Sequence, residues 1–172
     1  MIDIPGSPFA CGILPLIFLA GRGCETVALS TSADKGPYAR ELGANRFVNI
    51  MNEGEIKPIF GTLDYLLVTA SGDSLDYRAL LGLLAANGKL VIIGVSFKEQ
   101  IISPVQLLVG QKSICGSAAG STGIALDMLR FCAIHNIKPV IETFPMHRCN
   151  EAIERVTMNE IRFRAVLKHQ HA

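Results

Sequence analysis

The sequence predicts a doubly wound α/β domain built on a parallel sheet. Short runs rich in Val, Ile and Leu alternate with helical stretches along most of the chain. The runs are apolar on both faces, as strands are when helices cover a sheet from two sides. The chain is 172 residues long, 49% hydrophobic and 18% charged, which suits one packed core and excludes a disordered segment.

The elements follow in order. Residues 26–30 (T-V-A-L-S) read as a buried strand. Residues 34–42 read as a helix, with Asp34 near its start and Gly43 just past its end, the usual place for a residue that can turn left-handed. Residues 46–49 form a short strand and residues 64–69 another, nearly all apolar. A helix over 75–86 closes at Asn87-Gly88, and K-L-V-I-I-G-V at 89–95 is the strongest strand pattern in the chain. Residues 113–117 give a further strand and residues 124–135 an amphipathic helix. After Pro139 the pattern changes to a strand at 140–144, a helix at 150–158 capped by Asn150, and a strand at 163–167. The expected division is a Rossmann-type unit over 1–138, its first 17 residues degraded, and a small tail over 139–172 made for a different sheet.

Charge and composition narrow the function classes. A formal net charge of +1 offers no field for nucleic acid or an acidic membrane. Cys11, Cys24, Cys115, Cys132 and Cys149 are scattered without a C-x-x-C pair, so a zinc lobe is not expected and buried thiols of a reduced, cytoplasmic protein are. His135, His147, His169 and His171 form no metal motif; the last two, near the chain end, are expected in solvent. Residues 9–20 are apolar apart from Gly12 and Pro15, but Asp3 precedes them and no Lys or Arg does, which argues for a buried helix or a damaged strand-helix junction over a signal peptide. The run is short for a membrane span.

In a doubly wound sheet, ligands lie beyond the carboxyl ends of the strands. After the strand at 26–30 come Ser30-Thr31-Ser32-Ala33-Asp34-Lys35. An NAD site places an acid at the first of these positions to hold the ribose hydroxyls. Here three hydroxyls and a lysine suit a 2′-phosphate, which a carboxylate would repel. A polar loop that caps the next helix through Ser32 or Asp34 reads equally well from the residues alone. Gly94, at a strand end, suits close approach of a ligand to the backbone or a simple turn. Other enzymes of this architecture fit less well. The positions four after Tyr38, Tyr65 and Tyr77 are Leu42, Thr69 and Leu81, so no Tyr-x-x-x-Lys exists. Methyltransferases want an acid where Ser30 stands, and no G-x-S-x-G elbow is present for a hydrolase.

The stretches G-C-E-T-V-A-L-S-T-S-A-D-K, Y-A-R-E-L-G-A-N-R-F-V-N, D-Y-L-L-V-T-A, N-G-K-L-V-I-I-G-V, K-S-I-C-G-S, D-M-L-R-F-C-A-I-H-N-I-K-P-V-I-E, N-E-A-I-E-R and R-F-R-A-V-L occur in this order. As an ordered set, from Phe18 to Lys168, they resemble the cofactor-binding half of zinc-type medium-chain alcohol dehydrogenases of the cinnamyl alcohol dehydrogenase branch. The resemblance implies NADP(H) in preference to NAD(H). It implies a 2′-phosphate pocket at Ser30, Thr31, Ser32 and Lys35 and a turn under the ribose at Thr69 and Ala70. It implies main chain for the nicotinamide carboxamide at Gly94 and Val95, and a loop beside the ring at Ser117 and Ala119. It also implies a homodimer through a sheet edge at 101–109, where an unpaired apolar strand would associate.

Two departures from that family stand out. Its first strand-helix turn carries G-x-G-G-x-G, which brings backbone N–H groups and a helix N-terminus to the pyrophosphate. The matching window here is Ser7-Pro8-Phe9-Ala10-Cys11-Gly12. Only Gly12 survives; Pro8 removes a donor, Phe9 adds bulk, and Pro15 falls in the next helix. With resemblance starting only at Phe18, a frameshifted or fragmentary first stretch is expected. The second departure is the missing zinc set, a cysteine, a histidine-glutamate pair and another cysteine, which polarises the alcohol in the family. Reversible alcohol and aldehyde oxidoreduction is therefore not expected of this chain alone. Two alternatives remain: half of a split enzyme completed by a zinc-bearing chain, and a non-enzymatic dimerisation module.

Overall fold

In the computed structural model the described residues are 2–3, 10–70, 75–97, 99–158 and 160–169, with side chains described from Pro15 onward. The chain runs β1 (Ile2–Asp3), α1 (Ala10–Gly21), β2 (Val27–Ser30), a 3-10 turn (Ala33–Lys35), α2 (Gly36–Glu41) and β3 (Arg46–Asn49). Then come α3 (Glu53–Ile56), a 3-10 turn (Lys57–Ile59), β4 (Leu63–Val68), α4 (Tyr77–Leu83), β5 (Leu84–Ile92), α5 (Pro104–Leu108), β6 (Ser113–Gly116) and α6 (Thr122–Ile134). The tail holds β7 (Ile141–Pro145), a 3-10 turn (Met146–Arg148), α7 (Cys149–Thr157) and β8 (Arg164–Lys168).

Six strands form one sheet in the order β3-β2-β1-β4-β5-β6, every adjacent pair parallel. This is the Rossmann order, with the expected α/β class. The central strand, β1, lies outside every element read from the sequence. Its two residues pair with Leu29 and Ser30 on one side, and Ile2 pairs with Val68 on the other.

Alternate strand residues feed two cores. Leu29, Val48, Leu66, Val68 and Leu90 pack with Leu80, Leu81 and Leu83 of α4 and with Ile59 on one face. Ala28 meets Leu16 of α1, Ala39 of α2 and Ala44 on the other, with Phe47 against them. The apolar N-terminal run is thus a helix that covers the sheet. Pro15 lies inside it, where it lacks one N–H donor. Two contacts fix the end of α1. The Phe18 and Phe131 rings lie 4.8 Å apart, and the Arg22 guanidinium lies 4.8 Å from the Phe131 centroid. Gly43 turns left-handed at φ 101; an added Cβ there would stand 2.9 Å from the Ala20 methyl.

Several boundaries differ from the sequence expectation. Helix α4 stops at Leu83, and extended backbone begins at once, with Leu84 paired to Leu63. Asn87 (φ 62) and Gly88 therefore sit inside β5, at an irregularity in its register with β4. Residues 101–109 are not an edge strand: Pro104 opens α5 at its first turn, and the sheet edge is β6. Asn150 does not cap α7. The chain enters that helix from a 3-10 turn, its N-cap position is Arg148 with no side-chain cap bond, and Arg148 pairs instead with Glu151. Cys24 and Cys115 are exposed, and Cys132 and Cys149 half-buried, so these thiols are not the core residues expected. Cys11's side chain and His171 lie outside the described residues; His169 is exposed.

β7 and β8 form a separate parallel pair, from Ile141↔Arg164 to Pro145↔Lys168. Helix α7 makes the crossover between them, with Ala152 and Phe144 buried. Arg155 binds Glu142 at 3.0 Å and lies 5.5 Å from the Phe144 centroid. Phe163, just before β8, packs edge-on against Tyr38 of α2 at 5.3 Å.

Candidate functional site

Register places the carboxyl ends of the strands side by side. Asn49 pairs with Ser30 and Ser30 with Asp3. Ile2 pairs with Val68, Val68 with Ile92, and Ile92 with Gly116. Strand order reverses at β1, since the chain winds outward to β3 and then crosses back to β4. In open α/β sheets such a reversal is where ligands bind, outside the carboxyl ends of the strands. From β2 to β6 the edge spans four strand spacings, roughly 19 Å. The residues singled out beyond β2, β4, β5 and β6 all follow these ends directly.

Beyond β2, Ser30 is 1% exposed, and its Oγ accepts a hydrogen bond from the Ser32 N–H at 3.2 Å. The bond folds the loop back and leaves the Ser30 hydroxyl hydrogen as a donor. Thr31 Oγ1 is buried without a hydrogen-bond partner. Neither Ser32 nor Asp34 caps α2: Ser32 makes no side-chain cap bond, and the N-cap of α2 is Lys35. The loop is therefore shaped by Ser30, and the hydroxyl of Thr31 lacks the partner that a buried polar group normally has.

Beyond β4, Thr69 and Ala70 are both 3% exposed and form a floor. Beyond β5, the N–H groups of Ile93 and Gly94 both donate to Val68 O at 2.9 Å. The turn after β5 so crosses tightly over the turn after β4. A Cβ on Gly94 would lie 2.0 Å from Ala70 O and 2.5 Å from Ala70 C. The glycine is required here by the chain's own backbone, which neither sequence reading of it had named. Beyond β6, the Ser117 N–H donates to Ile92 O at 2.9 Å. Val95, Ser117 and Ala119 are exposed, so the floor rises from buried at β2 and β4 to open at β5 and β6.

At the β1–α1 junction, Ser7, Pro8 and Phe9 lie outside the described residues, and Gly12 falls in the first turn of α1. Arg162, in the tail just before β8, was not among the residues singled out from the sequence. Its guanidinium carbon lies 4.8 Å from the Tyr38 ring centroid, so the tail brings a cation onto α2, one turn from Lys35. No spacing rule joins positions so far apart; only the packing of the tail reveals it. Among the described residues no group of three or more His, Cys, Asp or Glu could hold a metal ion. No described helix is long and apolar enough to cross a membrane.

A family model described as zinc-binding dehydrogenase matches residues 10–133. The match takes in all of α1, so similarity reaches further toward the N-terminus than the motifs from Phe18 suggested. An aldehyde reductase of Synechocystis is 34% identical over 92% of the chain and 47% of its own length. A probable mannitol dehydrogenase of Medicago sativa is 37% identical over 91% of the chain and 44% of its own. The chain spans about half the length of the curated relatives it matches. A cinnamyl alcohol dehydrogenase from Sorghum bicolor superposes with a TM-score of 0.83 at 24% identity, over 99% of this chain and 50% of that one. A Helicobacter pylori enzyme described as a complex with NADP(H) gives 0.71 at 20% identity, over 98% and 46%. At these identities the two structures speak for the fold.

Proposed function

The chain belongs to the zinc-binding dehydrogenase family, and we propose that it is the portion of an alcohol and aldehyde oxidoreductase that holds NADP(H) in preference to NAD(H). One observation carries the preference. The strand end where an NAD site keeps an acid is Ser30, and the loop after it offers Thr31 Oγ1 buried without a partner, Ser32 and Lys35. A 2′-phosphate would satisfy that orphaned hydroxyl and meet a lysine; a ribose diol would lack its carboxylate.

On this reading Thr69 and Ala70 support the ribose. Gly94 and Val95 offer main chain to the carboxamide, and Ser117 and Ala119 flank the nicotinamide. Gly12 is the one glycine in the window 7–12 that matches the pyrophosphate turn. The bound dinucleotide supplies the hydride; these residues bind and orient it. The family's zinc set, a cysteine, a histidine-glutamate pair and another cysteine, has no counterpart in this sequence. We assign residues 1–138 to the dinucleotide unit, residues 139–172 to a return toward a catalytic domain, and the protein to the cytoplasm.

A second reading, completion by a polypeptide bearing the other half of the fold, draws on α6. None of its residues is buried, and Ile124, Leu126, Met128, Leu129 and Ile134 are exposed. A homodimer through residues 101–109 has its own support in exposed Phe97, Ile101, Val105, Leu108 and Val109. Titration of the purified chain with NADPH and then NADH, read by nicotinamide fluorescence, tests the cofactor reading. Saturable NADPH binding at least tenfold tighter than NADH binding, about 1.4 kcal/mol, is the expected result. Equal affinities, or no binding by a folded sample, would overturn it.

A further inference from the structure

Lys35 is the only basic side chain in the loop that follows β2, and Asp34 beside it carries the opposite charge. A doubly charged 2′-phosphate in such a loop lacks a second cation. The tail supplies a candidate. The Arg162 guanidinium carbon lies over the Tyr38 ring, 4.8 Å from its centroid, and Phe163 meets the same ring edge-on at 5.3 Å. The Arg162 N–H donates to Glu142 Oε1 at 2.7 Å, which fixes the backbone there. The other oxygen of Glu142 binds Arg155 at 3.0 Å, so that carboxylate already has a cation.

The placement of Tyr38 makes this contact relevant to the loop. Lys35 is the N-cap of α2 with near-helical angles, φ −77 and ψ −11, and Tyr38 follows three residues later. Side chains so spaced share a face, with Cβ atoms about 5–6 Å apart. Helical side chains also lean toward the N-terminus, so the Tyr38 ring leans over the turn that begins at Lys35. A guanidinium held over that ring by its carbon still has five N–H donors to offer an anion. The buried Thr31 Oγ1 without a partner, on which the NADP(H) reading already stands, lies in the same loop.

We propose that Arg162 is a specificity-determining residue, delivered from the tail on Tyr38 to serve with Lys35 as the second cation for an adenosine 2′-phosphate. The inference rests on the NADP(H) reading above. It adds that the tail, and not only the sheet, sets cofactor choice.

The test is calorimetric titration of the full chain with adenosine 2′,5′-bisphosphate and with adenosine 5′-monophosphate. Wild type binds the bisphosphate more tightly. Arg162→Ala loses about tenfold for the bisphosphate, as for one charge-assisted hydrogen bond, and nothing for the monophosphate; Arg162→Lys recovers part of the loss. Arg162→Gln, which keeps most of the packing on Tyr38, replaces the alanine variant if that one does not fold. An equal loss for both probes would mean that Arg162 only props the tail and would overturn the inference. Unchanged bisphosphate binding would overturn it and leave the NADP(H) reading standing. Failure of folded wild type to prefer the bisphosphate would overturn both.

Discussion

Replacing Gly94 by alanine should unlock the carboxyl edge of the sheet. The added Cβ would lie 2.0 Å from Ala70 O, 2.5 Å from Ala70 C and 3.0 Å from Thr69 C. All three are backbone atoms, so no side chain can swing aside. Carbon and carbonyl oxygen ordinarily approach to about 3.3 Å, so the two turns must part by about 1.3 Å. The Ile93 and Gly94 bonds to Val68 O, both 2.9 Å, stretch or break in that movement. Overpacking of this kind costs roughly 1–3 kcal/mol, and each lost backbone bond about 1 kcal/mol more. A total of about 3 kcal/mol lowers the melting midpoint of a chain this long by about 6–12 °C. Gly116→Ala is the control, because a Cβ at that strand end meets nothing within 4 Å. Differential scanning calorimetry of both variants decides the matter. A Gly94→Ala midpoint within about 2 °C of the control would refute the reasoning.

Asp76 caps α4, its Oδ1 accepting from the Arg78 N–H at 2.9 Å and the Ala79 N–H at 3.3 Å. Asp76→Ala should cost about 1 kcal/mol, read as a midpoint about 2–4 °C lower; an unchanged midpoint would deny the cap any role. Burial raises the Tyr77 phenol above its ordinary value of 10.0. Below pH 10 the phenol keeps its proton in both the folded and the unfolded chain, and its contribution is complete. Above that pH the unfolded chain ionises first, so stability falls until the folded-state pKa is passed. Tyr77→Phe should therefore lose less stability than wild type between about pH 9.5 and 11, as followed by thermal melts, and parallel losses would contradict the burial effect.

The parts of this fold visible in sequence are those whose side chains must repeat a pattern. β2, β3, β4 and β6 carry their apolar residues close together, Leu29, Val48, Leu66 and Val68 among them buried, and were read within a residue or two of their ends. The helix-strand border at Leu83–Leu84 left no such trace. Leu80, Leu81, Leu83 and Leu84 are all buried, and the backbone changes conformation between two leucines, with a lone Gly82 inside the helix's last turn as the one local hint. Asn87-Gly88, which looked like a helix stop, serves a strand irregularity instead. The edge at 101–109 was expected from the family resemblance, and Pro104 opens a short helix there. For the proposed site, the loop from Ser30 to Lys35 stood out in the sequence because its residue types stand together. The true constraint on Gly94 was hidden, since the atoms that crowd it belong to another strand. The contact of Arg162 with Tyr38 was hidden for the same reason at longer range.

β1 separates two things usually treated as one. A two-residue strand joins its neighbours through main-chain groups that every residue except proline owns, so almost any peptide able to extend there completes the sheet. The turn that follows is far more exacting, because phosphate binding calls for particular glycines. Mutation can therefore rewrite this stretch and leave the architecture in place. A lineage drifting at this position would keep a foldable, family-like protein long after its grip on the pyrophosphate had gone, and resemblance in shape would outlast the capacity to bind.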